Sequence, residues 1–254
     1  MPHVTSGRSR IYYEVHGEGP PLVLMHGVGG NHVSWFNQVP AFSRYFRTVI
    51  LDHRGFGLSE DHEGAGRSVM VDDLCVVLAE LGIERTRLVA QSMSGGVAVN
   101  FTCRFPERVE ALVLADTVVG FELPPDLTAR LDAMSAAGQH LSTVERVFGS
   151  TFLTSDPARV FLYRQISSFN RYNARNIAGA FPLQAPATLS AQGVPILFLA
   201  GAEERRFPVE VIRGVQSLVA GSTYLEVPRA GHSVYFEQPE AFNEAVLRFM
   251  SATS

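Results

Sequence analysis

The stretch Arg87-Leu88-Val89-Ala90-Gln91-Ser92-Met93-Ser94-Gly95-Gly96 constrains this chain more than any other. An apolar, strand-like run passes directly into a serine, and small residues flank the turn. A strand and a helix can approach this closely only where their side chains are small. The sharp turn between them holds the hydroxyl out of the sheet, next to a base and near backbone N–H donors. Without that placement a serine is a poor nucleophile.

The remainder of the chain alternates in the same manner. Apolar strands are expected near 22–25, 48–52, 87–91, 110–115, 195–200 and 222–227, after a hairpin-like opening around Ile11–Val15. Helical patterns fall near 34–44, 68–82, 93–105 and 208–220. A last helix begins at Pro239 and carries the stripe Phe242, Ala245, Val246 and Phe249. Strands alternating with helices imply a mostly parallel sheet covered on both faces. At 254 residues the chain can bury one sizeable core as a single domain. Between about 118 and 187 the alternation stops. That region reads as helical pieces broken by Pro124-Pro125, Gly138, Gly149, Asp156-Pro157 and Pro182, and it is rich in aromatic residues.

Further motifs stand at strand ends. Leu22–Met25 runs into His26-Gly27-Val28-Gly29-Gly30, and Thr48–Leu51 into Asp52-His53-Arg54-Gly55-Phe56-Gly57-Leu58-Ser59. Pro195–Gly201 precedes Glu203 and Glu204, and Ala230-Gly231-His232-Ser233 stands just before the last helix. In this order the motifs resemble the α/β-hydrolase fold family. The resemblance implies an α/β fold with a helical cap inserted at about 118–187, resting on the active site and shaping an apolar pocket. It also implies a triad in the order serine, acid, histidine.

Residue by residue, the strand Leu88–Ala90 reaches its turn directly at Ser92, which makes Ser92 the nucleophile. The overlapping frame on Ser94 requires two more strand residues, so Ser94 reads as a small packing residue where the family usually has glycine. His232 is the base. The family's spacing from Gly201 selects Glu204 as the acid, with Glu203 adjacent and Asp116, at the end of the strand before the cap, as the other candidates. The oxyanion hole is expected at the backbone N–H groups of Val28 and Met93, with Gly29 as the alternative if the loop is shifted by one. His26 reads as structural beneath that loop, and loop packing is expected of His53. Asn31 and Trp35 suit either pocket lining or a capped helix start. The glycines at 27 and 29 also echo a dinucleotide fingerprint, but His32 occupies the position where Gly or Ala is needed.

Composition narrows the function classes. A net charge of −4 gives no electrostatic reason to expect nucleic acid or an anionic membrane as partner, and no apolar run is long enough to span a bilayer. The N-terminal residues lack a signal-peptide core. Cys75 and Cys103 read as buried free thiols, which points to the cytoplasm. No metal-ligand spacing and no cofactor motif is present. The resemblance then implies a cofactor-free serine hydrolase acting on a small apolar or aromatic carboxylic ester or lactone. Hydrolysis of a carbon–carbon bond in a β-diketone or vinylogous acid is the alternative within the family. In that case Arg159, Arg164, Arg171 and Arg175 could hold a substrate carboxylate. A slow-turnover ligand sensor is the alternative from another class. The serine argues against haloalkane dehalogenase and epoxide hydrolase chemistry, whose enzymes carry aspartate here. The sequence holds no signal for oligomeric state.

Overall fold

The computed structural model describes residues 2–253. In chain order its strands are β1 (His3–Ser6), β2 (Ser9–His16), β3 (Pro21–Met25), β4 (Arg47–Leu51), β5 (Thr86–Gln91), β6 (Val109–Ala115), β7 (Ile196–Gly201) and β8 (Thr223–Val227). They form one eight-stranded sheet in the order β1-β2-β4-β3-β5-β6-β7-β8. β1 and β2 pair antiparallel, β2 runs antiparallel to β4, and every later pairing is parallel. The strands expected from the sequence are all present, to within about a residue at each end.

The helices are α1 (Val39–Phe42), α2 (Met70–Glu80), α3 (Ser94–Arg104), α4 (Pro125–Ala137), α5 (Thr143–Val147), α6 (Ser150–Ser155), α7 (Pro157–Ser168), α8 (Pro186–Ser190), α9 (Val209–Leu218), α10 (Val234–Glu237) and α11 (Pro239–Ala252). The helix expected over 34–44 is broken into a 3₁₀ turn at His32–Trp35 and the four-residue α1. Pro40 explains the break, because it has no N–H to continue a helix begun upstream.

The central strands are buried on both faces, and their residues alternate between two cores. Val23, Met25, Leu88, Ala90, Leu112 and Leu114 meet α2, α3 and α9 on one side. Leu22, Leu24, Val89, Ala111, Val113 and Ala115 face the other, with Trp35, Phe42 of α1, and Phe242, Val246 and Met250 of α11. The period-two split is what covered parallel strands produce.

The region between β6 and β7 carries α4 to α8, with one isolated bridge between Phe121 and Gln184. Phe148, Phe152 and Tyr163 anchor it to the second core through Phe236 of α10, at ring-centroid distances of 5.7, 6.3 and 5.5 Å. Phe161 and Phe169 are exposed, so the aromatic richness of this region serves its surface as well as its packing. Phe236 is fully buried, and Phe236→Ala would leave a cavity where the helical insertion meets the sheet layer. The expected cost is about 3–5 kcal/mol. It should appear as a lower urea midpoint with unchanged slope.

Candidate active site

The turn after β5 brings Ser92 to a backbone φ of +52°. A non-glycine residue in this left-handed region costs about 1–3 kcal/mol and persists only where its surroundings enforce it. Here Ser92 N–H donates to Ala115 of β6 at 3.0 Å, and Thr117 Oγ1 donates to the Ser92 carbonyl at 2.7 Å. A side chain at Gly27 would come within 2.8 Å of Ser92 Cβ, and one at Gly95 within 2.5 Å of Thr117 Oγ1. Ser94 lies inside α3, past the turn, so the strained conformation belongs to Ser92.

Ser92, His232 and Glu204 come together. Ser92 Oγ lies 2.7 Å from His232 Nε2, and Glu204 Oε2 lies 2.6 Å from His232 Nδ1. The carboxylate only accepts, so Nδ1 carries a proton and Nε2 is left to accept from the serine hydroxyl. Glu204 Oε1 takes the Arg206 N–H at 2.5 Å, which aims the carboxylate. The Phe207 ring packs 5.4 Å from the imidazole. Gln91, the residue before Ser92, donates from Nε2 to the His232 carbonyl at 2.7 Å and so ties the histidine loop to β5.

The other two acid candidates are occupied elsewhere. Asp116 accepts N–H groups of Gly201 and Val234 at 2.9 and 3.2 Å, fastening β6 to the acid and histidine loops. Burial and the nearby Glu204 charge hold its pKa well above the usual carboxylate range. Glu203 turns to the start of α6, where it accepts from Ser150 Oγ and Thr151 N–H, both at 2.9 Å.

A fourth carboxylate, Glu237 of α10, was not anticipated. It accepts N–H groups from Gly149 at 2.8 Å, Gly231 at 2.9 Å and Ser233 at 3.0 Å, so it holds both neighbours of His232 and the start of α6. Its one sequence signal is a lone acid after the apolar run Val234-Tyr235-Phe236.

The loop after β3 rests on a histidine pair. His26 Nδ1 donates to the Gly27 carbonyl at 2.7 Å, and its Nε2 accepts the His53 N–H at 3.1 Å, so the ring is neutral. Burial lowers its pKa accordingly. Ser94 is more than a packing residue: its hydroxyl donates to the His26 carbonyl at 2.5 Å and meets His53 Nε2 at 2.7 Å. Since the single Ser94 proton goes to the carbonyl, His53 carries its proton on Nε2. Among the described residues, the N–H groups of Val28, Gly29 and Met93 have no protein acceptor. Gly27 abuts Ser92 and Gly29 abuts the Tyr163 hydroxyl, which places Val28 between them.

Several remaining residues have structural roles. Asn31 Oδ1 accepts the Val33 N–H, and Trp35 packs against the tilted Tyr235 ring, as suits a capped turn packed on the core. Asp52 binds His32 through both N–H and Nδ1. Cys75 and Cys103 are free and half-buried rather than buried. Arg159 pairs with Asp156, while Arg164, Arg171 and Arg175 are exposed. Among the described residues, no group of three His, Cys, Asp or Glu side chains could hold a metal ion, and no helix is long and apolar enough to cross a membrane.

Burial and the neighbouring Glu204 raise the Glu237 pKa from 4.5 to about 7, against the lowering effect of its three N–H donors. A carboxyl with a raised folded pKa keeps its proton after the unfolded chain has lost it. Its contribution to stability is therefore full below the unfolded value and declines as pH climbs to the folded one. Stability should fall between about pH 4.5 and about 7. In Glu237→Gln, which cannot titrate there, urea unfolding across this range should show a shallower fall.

The comparisons with known proteins agree with this architecture. The sequence profile described as the alpha/beta hydrolase fold matches residues 20–239. The pimeloyl-[acyl-carrier protein] methyl ester esterase of Pectobacterium carotovorum is 29% identical, over 95% of this chain and 99% of its own. The 2-hydroxy-6-oxo-2,4-heptadienoate hydrolase of Pseudomonas putida is also 29% identical, over 93% and 91%. A thermophilic esterase from Thermogutta terrifontis superposes with a TM-score of 0.83 at 23% identity, over 99% and 98% of the two chains, and this bears on the fold. With the profile spanning most of its length, this chain belongs to the α/β-hydrolase fold family.

Proposed function

We propose that this protein is a serine hydrolase of carboxylic esters or lactones, with Ser92 as nucleophile, His232 as general base and Glu204 as the acid that orients it. The observation that carries the proposal is the unbroken hydrogen-bond chain from Ser92 Oγ through the imidazole to Glu204, at 2.7 and 2.6 Å. His232 Nε2 takes the serine proton as Oγ attacks the carbonyl, and Glu204 stabilises the imidazolium that forms. The Val28 and Met93 N–H groups receive the oxyanion. Each such donor is worth about 10²–10³ in turnover. His232 then protonates the leaving alcohol, and water releases the acyl group with the same histidine as base. The helices between β6 and β7 serve as a lid, and no cofactor enters the scheme. The esterase among the relatives supports this reading.

The 2-hydroxy-6-oxo-2,4-heptadienoate hydrolase, equally similar, favours a second reading in which the same triad cleaves a carbon–carbon bond. A substrate panel of aryl esters, lactones and β-diketones separates the two. Activity confined to the diketones would overturn the ester assignment.

Ser92→Ala should lose nearly all turnover, and a fluorophosphonate should label Ser92 stoichiometrically. Labelling at Ser94 would show that the nucleophile is misassigned. Ser94→Ala should still label at Ser92 but lose about 1–3 kcal/mol of stability, because His53 Nε2 and the His26 carbonyl are left unpaired.

Glu204→Gln should fold yet lose about 10⁴ in kcat, as an amide in this place favours the wrong tautomer. Glu203→Gln should leave kcat nearly intact and act on the start of α6 instead. Activity should also withstand EDTA, since the scheme uses only side chains and backbone N–H groups.

A further inference from the structure

Tyr163 of α7 is only 4% exposed, and the centre of its ring lies 4.9 Å from that of Phe148 and 5.5 Å from that of Phe236. Its hydroxyl reaches the loop after β3, where a Cβ at Gly29 would collide with it. Among the described residues this hydroxyl makes no hydrogen bond. Nor is it sealed from solvent, as the unpartnered Trp35 Nε1 and His53 Nδ1 are, so it opens on the space beside the loop. Burial, with Tyr235 and Glu237 adding to it, holds its pKa well above that of a free phenol, and the hydroxyl keeps its proton.

Side-chain amides fasten α7 to this loop. Asn31 Nδ2 donates to the Ile166 carbonyl at 2.9 Å, and Asn170 Nδ2 donates to the Gly30 carbonyl at 3.0 Å. Asn170 Oδ1 takes the Gly57 N–H at 3.0 Å and so holds the loop after β4 as well. Tyr163 stands one helical turn before Ile166, so these bonds set its position over the loop. The hydroxyl is thereby held in place without a bond of its own. A donor preorganised for a group that arrives later is held in this way.

The neighbouring Val28 and Gly29 N–H groups also lack a protein acceptor. The loop is a tight turn, closed by the Gly30 N–H on the Gly27 carbonyl at 3.0 Å. Gly27 abuts Ser92 and Gly29 abuts the Tyr163 hydroxyl. Two residue steps span at most about 7 Å, so Ser92 and this hydroxyl flank the same short turn. Donors gathered without an acceptor complement a ligand oxygen that gains negative charge. Phenylalanine would fill the same space without burying an unpaired hydroxyl. We propose that the Tyr163 hydroxyl is a third donor to the oxyanion, carried by the helical insertion and acting beside the N–H groups of the loop after β3 and of Met93. This rests on the serine-hydrolase reading above. As Ser92 Oγ bonds to the acyl carbon, its proton passes to His232 Nε2 and the carbonyl π pair moves onto oxygen. Tyr163 donates a hydrogen bond to that oxygen and keeps its own proton throughout.

Tyr163→Phe tests this on p-nitrophenyl butyrate. Its kcat should fall by about 10²–10³, the loss expected for one oxyanion donor. KM should change little, because the missing bond is made only in the transition state. Tm should be unchanged or higher, since the ring stays and an unpaired buried hydroxyl goes. A packing role alone would leave kcat intact. A trifluoromethyl ketone gives a second reading, because addition of Ser92 to its carbonyl creates the oxyanion with no leaving group to expel. Its Ki should weaken in Tyr163→Phe by the same factor as kcat. An unchanged kcat, or a fall in kcat with unchanged ketone affinity, would overturn the third donor. If the wild-type protein hydrolyses no ester, the ester reading fails by itself, and ketone binding followed by thermal shift still decides the donor. Weaker binding to Tyr163→Phe than to wild type upholds it; equal affinity, or no binding to either protein, removes it.

Discussion

Burying several carboxylates around one imidazole is the constraint on which the site is built. Asp116, Glu204 and Glu237 are all buried, and each lies in a loop or short helix at the carboxyl ends of the parallel strands. A buried carboxylate is tolerable only when donors surround it. Asp116 takes N–H groups from Gly201 and Val234, Glu237 takes them from Gly149, Gly231 and Ser233, and Glu204 takes the imidazole and Arg206. Nearly all of these donors are backbone groups. Satisfying the acids therefore fixes the paths of the acid and histidine loops, and with them the direction of the Glu204 and His232 side chains.

Electrostatics divides the labour among the acids. Three negative charges so close together would repel, and the two without a cationic partner have raised pKa values. Glu204 alone faces a group that can become cationic. The surrounding acids can hold their protons and still anchor the loops, which leaves the Glu204 charge to act on the imidazole. Glu203, one residue away, is drawn to the start of α6 by the N–H and hydroxyl groups there, so adjacency in sequence does not make the two glutamates rivals in space.

Much of this was legible in the sequence, for a physical reason. Strands covered on both faces read as apolar runs, so β5 and β7 could be placed from the sequence, and the resemblance to the family then selected Ser92 at the turn after β5 and Glu204 by its spacing from Gly201. The elements that escaped depend on distant pairings. Glu237 reaches Gly149 across 88 residues, and Gln91 reaches the His232 carbonyl across 141. Neither pairing has a period or a motif. The 34–44 helix failed for a local reason, since its apolar spacing hid the break at Pro40. Ser94 was underestimated because size alone accounts for a small residue on a tightly packed helix. Only the paths of His26 and His53 reveal what its hydroxyl does.

Ser94 also shows how the two halves of the site are joined. It stands two residues past Ser92 on α3, and its hydroxyl reaches the His26 carbonyl, which belongs to the loop carrying Val28. The helix that fixes Met93 N–H thus also fixes the loop bearing the unpaired Val28 and Gly29 N–H groups. Donors for an oxyanion act only if they are aimed before charge develops, since reorienting them during reaction would cost the stabilisation they provide. This chain devotes a hydroxyl and a buried histidine to that rigidity. The anchoring runs from α3 through His26 to the loop, independently of the carboxylate network that holds His232. The positions of His232 and of the Val28 and Met93 N–H groups can therefore vary separately, though both are referred to the strained turn at Ser92.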